Sequence, residues 1–334
     1  MEDHQSGENN FISGIQTVCG LIKSSELGFC QCHEHLLIKK GKSYEINNAL
    51  FMEDIEKSNR EIVRYRQAGG CAIVDAQPIG CGRMGAELEQ IARDSGIHII
   101  ASTGFHKLVF YQKDHWIFKK NEKELSQIFI EEIEKGMYVD IDNKEPKTQI
   151  KTKAGIIKTA VDVCGLNSEY TRLFKAAADA QKATGCAMMI HVEHGADALG
   201  LLEFLRIQGV LEEKLIFCHM DRACTDMSVH KELCKAGCKL EYDTIGRFKY
   251  HSDEMEARII KEMIDAGFIR NLLISLDTTR LRLKEYTPEG IGLDYILEVF
   301  EKILKNIGIK ESEIEEITCE NPKKILSIER HRMK

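Results

Sequence analysis

Short apolar, β-branched runs alternate with longer amphipathic patterns from residue 26 to about residue 306, the signature of repeated β-α units feeding a parallel sheet. Eight such runs lie at 26–33, 70–76, 97–103, 155–160, 187–191, 215–219, 239–243 and 271–277. Their near-continuous apolarity suits strands covered on both faces. The intervals carry helical spacing, for instance over 52–67, 168–184, 198–207, 252–266 and 293–306. Gly69, Gly185, Gly209, Gly237 and Gly267 stand where a helix stop is expected. Eight β-α units predict a closed (β/α)8 TIM barrel. The alternative is a doubly wound open sheet, but no G-x-G-x-x-G follows the first strand. The whole of 1–334 then reads as one domain, with 1–25 a lead-in and 311–334 a C-terminal extension. Neither end carries identifiable chemistry, and the charges at 330–334 read as solvated.

Composition narrows the class. With 43% hydrophobic and 30% charged residues and only 4 Pro, the chain has the make-up of a globular protein with a sizeable core. A formal charge of −7 gives no general attraction to nucleic acid or to an anionic membrane. No apolar run approaches the ~20 residues that span a bilayer. The polar start at 1–5 does not read as a signal peptide, so a cytoplasmic location is expected. The 12 cysteines are scattered through apolar runs, as at Cys71, Cys186 and Cys218, and read as small buried hydrophobes rather than as a disulfide framework. The third β-α unit carries an aromatic and basic insert at 105–120, either a lid over the mouth or a loop packed by Phe110, Tyr111 and Trp116.

The chemistry collects at strand ends. His33 and His35 close the first strand as His-x-His, so both side chains point one way and Glu34 the other. That geometry lets one divalent ion take both imidazoles. Lys158 lies on the fourth strand, His191 and His219 end the fifth and sixth, and Asp277 ends the eighth. A lone histidine is more often a satisfied core residue, and a strand-end aspartate often caps the next helix. Six such groups at the rim where barrel enzymes assemble their sites point to catalysis. Lys158 needs its own reason, because an ammonium would repel metal ions. It could be a neutral amine poised for a Schiff base, or a carbamate formed with carbon dioxide whose two oxygens bridge two cations. Four histidines around it make a metal site and favour the carbamate.

These residues resemble the phosphotriesterase family of the amidohydrolase superfamily, and are closest to its phosphorylated-sugar-lactonase-like members. The resemblance runs from Gly14-Ile-Gln-Thr-Val-Cys-Gly, through Cys32-His-Glu-His-Leu, Gly69-Gly-Cys-Ala-Ile-Val-Asp-Ala and Ala154-Gly-Ile-Ile-Lys-Thr-Ala, to Asn321-Pro-Lys-Lys-Ile-Leu. It implies a distorted barrel, often dimeric, with two divalent ions at the C-terminal mouth: zinc first, manganese, cobalt or iron as alternatives. His33, His35 and Asp277 would hold the buried ion, His191 and His219 the exposed one, and carboxylated Lys158 would bridge them. Two cations sharing a water deliver hydroxide at neutral pH, and Asp277 would act as general base. Asp221 reads as a carboxylate standing behind these ligands or as a proton relay, with a salt bridge to Arg222 as the alternative.

The expected reaction is hydrolysis of a small-molecule ester, a lactone first and a phosphorylated sugar lactone within that class. In the resembling subgroup a lysine and an arginine grip the phosphate, and Lys249 and Arg280 match those positions. The subgroup's tyrosine three residues after the arginine is Leu283 here, and either cation could instead pair with Glu285 or Asp253. Two other functions stay open: a broad carboxylesterase or phosphotriesterase without phosphate recognition, and a metal-binding scaffold without turnover.

Overall fold

The computed structural model describes residues 11–331, with side chains from 13 to 329. The sequence readings at 1–5 and 330–334 lie outside the side chains described. The eight expected strands are all present: β1 (Cys30–Glu34), β2 (Ala72–Asp75), β3 (His98–Gly104), β4 (Ala154–Val161), β5 (Met188–Val192), β6 (Leu215–Cys218), β7 (Lys239–Tyr242) and β8 (Leu272–Ile274). They follow one another in chain order through one sheet, and every neighbouring pair is parallel. A helix follows each strand, from Ile55–Gln67 after β1 to Glu301–Asn306 after β8, so the chain forms a (β/α)8 barrel.

Local sequence sets the helix ends. The Asp54 carboxylate accepts from Lys57 N at 3.0 Å, which moves the first helix start three residues past the periodic pattern. Asn167, Asp197, Asp226 and Ser252 cap four later helices in the same way. At the other end Gly185 takes φ +69°, the left-handed stop that a side chain disfavours. The pattern at 293–306 resolves into a π-helical turn, Ile296–Phe300, running into Glu301–Asn306.

Two apolar layers hold the barrel. One lies between strands and helices; the other fills the lumen with Cys30, Cys32, Val74, Ile100, Ile156, Met189, Ile216 and Leu273. Full burial of such a side chain contributes roughly 1.5–3 kcal/mol. The two ends, which showed no chemistry in the sequence, close the floor. Phe11–Thr17 pairs antiparallel with Ile328–His331, and Ile15, Ile325 and Leu326 pack into the luminal cluster. The 12 cysteines form no disulfide framework, and Cys186 and Cys218 are buried while Cys71 is half-buried. Among the described residues no helix is long and apolar enough to cross a membrane.

The seam between β1 and β8 has its own construction. One main-chain bond crosses it, Asp277 N to His33 O at 3.0 Å. Side chains complete the closure: His33 N donates to Ser275 Oγ at 2.9 Å, and the Glu34 carboxylate accepts from Leu276 N, Thr278 N and Thr278 Oγ1 at 2.8, 3.1 and 2.7 Å. Glu34, the middle residue of His-x-His, thereby fixes the loop that carries Asp277 against the two histidines. The register against β2 also shifts between Gln31 and Glu34, so the strand is bulged where the histidines begin.

Candidate metal centre

His33, His35, His191, His219 and Asp277 stand at or just past the C-terminal ends of their strands, Lys158 lies within β4, and all but His191 come into mutual reach. His33 Nε2 lies 3.0 Å from Lys158 Nζ, and His33 Nε2 and His35 Nε2 lie 3.8 and 3.5 Å from Asp277 Oδ1. His219 Nδ1 is 3.9 Å from Asp277 Oδ2. His191, the sixth, joins through His219, with its Nδ1 2.8 Å from His219 Nε2. His33, His35 and Asp277 present their ligand atoms together as one group that could hold an ion. Two of the six sit on strained backbone: His219 has φ +62° and Asp277 φ +48°. Such conformations cost on the order of 1–3 kcal/mol and persist where the surroundings fix them.

Whether this set suits metal follows from its protons. His219 Nδ1 lies 2.7 Å from Asp243 Oδ1, and His191 Nε2 lies 3.5 Å from Glu193 Oε2. If each ring gives its proton to its carboxylate, bare lone pairs of His219 Nε2 and His191 Nδ1 face each other at 2.8 Å. Two lone pairs at that distance repel unless a cation lies between or beside them. Burial, reinforced by the Lys158 charge, lowers His33 to about 4. Burial likewise takes His191 down to about 3 against the opposing pull of Glu193, and holds His219 well below its ordinary value. These rings are therefore neutral at pH 7, the state a metal requires.

Lys158 supplies the second sign. Its side chain is buried, its one hydrogen-bond neighbour is the His33 ring, and among the described residues no carboxylate pairs with it. An uncompensated buried ammonium costs several kcal/mol. Loss of its proton and addition of carbon dioxide, with release of a second proton, turns this position into an anion facing neutral imidazoles. The residues present thus fit a metal centre with a carbamate bridge.

Several groups at the mouth escaped the sequence reading. Asp243 meets two of the histidines, with Oδ2 3.0 Å from His33 Nδ1 and Oδ1 2.7 Å from His219 Nδ1. Asp221 turns elsewhere and accepts from Thr244 N and Oγ1 at 2.7 and 2.6 Å. Arg247 pairs with Asp277 Oδ2 at 2.9 Å and also donates to the Asp277 carbonyl. Although burial pushes the Asp277 carboxyl up, Arg247 and the histidines hold it well below the usual range. The insert at 105–120 is packed into the core by Phe110, Tyr111 and Trp116, and Trp116 Nε1 donates to Ile141 O at 2.8 Å. It nevertheless reaches the mouth, where His106 lies 5.2 Å from His191, centroid to centroid, and Lys107 pairs with Glu193. Asp243 ends a strand like the other rim residues, so position alone could have found it; the Lys107–Glu193 and Arg247–Asp277 pairs join segments that only the fold brings together.

The phosphotriesterase family model matches residues 13–326. The chain belongs to the phosphotriesterase family. Membership makes it a hydrolase, and TIM-barrel enzymes in general assemble their sites at the C-terminal face. Phospho-furanose lactonase from Mycoplasmopsis synoviae (strain 53) is 29% identical over 334 residues, covering 97% of this chain and 94% of that protein. The crystal structure of an amidohydrolase from Mycoplasma synoviae superimposes with TM-score 0.89 at 29% identity, over 97% of this chain and 94% of the other. A lactonase from Listeria monocytogenes follows with TM-score 0.83 at 25% identity, over 96% of this chain and all of that one.

Proposed function

We propose that this phosphotriesterase-family member hydrolyses the ring ester of a phosphorylated sugar lactone, at a two-ion centre held by His33, His35, Lys158, His191, His219 and Asp277. The observation that carries the reading is the convergence of four imidazoles, one buried lysine without a carboxylate partner and one carboxylate at the barrel mouth. When bound, divalent ions supply acidity to water and polarise the scissile carbonyl. Asp277 orients the attacking water and takes its proton, then returns a proton to the ring oxygen as the ester C–O bond breaks, leaving a hydroxy acid. Asp243 holds His219 with its Nε2 free for an ion, and its other oxygen lies beside His33 Nδ1 at 3.0 Å. Lys158, carboxylated, would supply an anionic oxygen donor to the centre.

Substrate choice rests on the cations around the mouth. Lys249 and Arg280 follow β7 and β8, and among the described residues neither enters an ion pair. The partners that could have neutralised them are engaged: Glu285 binds Arg60 and Arg64 at 2.7 and 2.9 Å, and Asp253 accepts from Gly246 N and Tyr295 Oη at 2.7 Å each. Two unpaired cations on loops after adjacent strands suit a phosphate, Arg as a fork and Lys as a point charge. The similarity to a phospho-furanose lactonase supports the same substrate class. One observation favours the second reading, an esterase without phosphate recognition: Leu283, where the resembling subgroup carries a tyrosine, is fully buried and apolar. A panel pairing each phosphorylated γ-lactone with its dephosphorylated form decides between them. Preference for the phosphorylated member is expected, and equal rates would favour the esterase.

A further inference from the structure

A second acidic cluster lies apart from the histidine set and shares no residue with it. Asp221 follows β6, His251 ends the loop after β7, and Glu256 lies in the first turn of the helix Asp253–Asp265. Their ligand atoms all lie within 4.8 Å of one another. The site is internal: Glu256 is 0% and Asp221 5% exposed, while His251 is half-buried and opens toward solvent.

The polar accounting does not close. Thr244 satisfies Asp221 Oδ2 through its N–H and hydroxyl, but Asp221 Oδ1 and both oxygens of Glu256 are buried without a hydrogen-bond donor. An isolated orphan of this kind costs about 1–3 kcal/mol, and more when charged. Here three orphan oxygens from two residues meet in one place. His251 Nε2, aimed into the same space, lies 2.9 Å from Glu256 Oε2 and 3.2 Å from Thr244 Oγ1. A protonated His251 would answer one carboxylate and leave Asp221 Oδ1 bare. Burial first, then the Asp221 charge, pushes the Glu256 carboxyl well above the carboxylate range.

We propose that Asp221, His251 and Glu256 bind a third divalent ion, separate from the histidine-lined centre. Atoms that bind one ion at about 2.0–2.2 Å stand about 3 to 4.4 Å from each other, and the 2.9 Å between His251 Nε2 and Glu256 Oε2 lies at the lower end of that range. Two carboxylates and one imidazole select a borderline ion such as Zn²⁺ or Mn²⁺, since Ca²⁺ and Mg²⁺ prefer oxygen alone. The ion would tie the loop before His251 to the end of β6, and so brace Thr244 and Asp243 between them.

The test counts metal by mass spectrometry in the purified protein, wild type against Glu256→Gln and His251→Ala, each loaded with Zn²⁺ or Mn²⁺ and freed of excess. Each variant should hold one equivalent per chain fewer than wild type. The difference is the readout, so it stands whatever the histidine centre retains. His251→Ala removes a partly exposed ring and keeps the test valid should Glu256→Gln fail to fold. A crystal of the loaded wild type should show an anomalous peak between the three side chains. Equal metal content in wild type and a folded variant, or no peak there, overturns the proposal.

Discussion

Asp243→Asn removes one oxygen from the carboxylate that serves two ligand histidines. In the wild type Oδ1 lies 2.7 Å from His219 Nδ1, so that ring can keep its proton on Nδ1 and leave Nε2 free, while Oδ2 stands 3.0 Å from His33 Nδ1, which Glu241 Oε2 also approaches at 3.4 Å. Asparagine offers one acceptor and one amide donor. Whichever ring meets the donor must move its proton to Nε2, where it blocks metal, or lose its partner. A hydrogen bond to a charged group is worth ~1.5–3 kcal/mol, which is roughly a 10- to 150-fold change in an equilibrium constant. Removing such an outer partner of a ligand histidine typically weakens metal binding ~10- to 100-fold. Competition against a chromophoric chelator at pH 7 reads this directly, and a urea midpoint separates it from general unfolding. Metal affinity within twofold of wild type in a folded Asp243→Asn would refute the assigned role.

Lys158→Ala should lose metal and activity together, with short carboxylic acids restoring part of both by taking the bridging position; full metal occupancy in the variant would contradict the bridge. Asp277→Asn should keep most of the metal yet lose ~10²- to 10⁴-fold in kcat, the usual cost of removing a general base, and wild-type turnover would mean that the proton leaves elsewhere. Arg280→Met should cut kcat/KM ~10- to 100-fold on a phosphorylated lactone and barely change an unphosphorylated one, whereas equal losses would make Arg280 a structural residue. Burial depresses His33 to about 4 and His191 to about 3, so in chelator-treated protein neither ring should gain a proton between pH 7.5 and 5. A depressed folded value means that each ring stabilises the neutral fold above its unfolded value near 6.5, a contribution lost as pH falls through 4 and 3. Nuclear magnetic resonance of the ring protons checks this, and titration of either ring near 6.5 would contradict it.

The barrel was legible because its strands are buried on both faces and bounded by cappers and glycines, so the apolar period carries the topology. The six rim residues were legible for a related reason: His33, His35, Lys158, His191, His219 and Asp277 each interrupt or end an apolar run with a group that has no packing reason to be there. What stayed hidden depends on contacts between distant segments. Glu34 looked like the idle middle of His-x-His, yet it closes the barrel through Leu276 and Thr278, a partnership 242 and 244 residues away. Arg247 stands two residues before Lys249 in the same loop, and only the fold lays it on Asp277. Residues 11–17 gave no sign of pairing with 328–331, because strand partners so far apart leave no local trace.

The central claim is metal-dependent hydrolysis of a phosphorylated sugar lactone, and one assay reaches it most directly: kcat/KM of the metal-loaded protein on a phosphorylated γ-lactone and on its dephosphorylated form, before and after removal of metal. The expected result is a preference of ~10-fold or more for the phosphorylated substrate, the worth of a charged hydrogen bond or two, with both rates abolished by chelation and restored by divalent ion. Hydrolysis that persists undiminished in the metal-free protein, or no hydrolysis of either lactone when fully loaded, would contradict it.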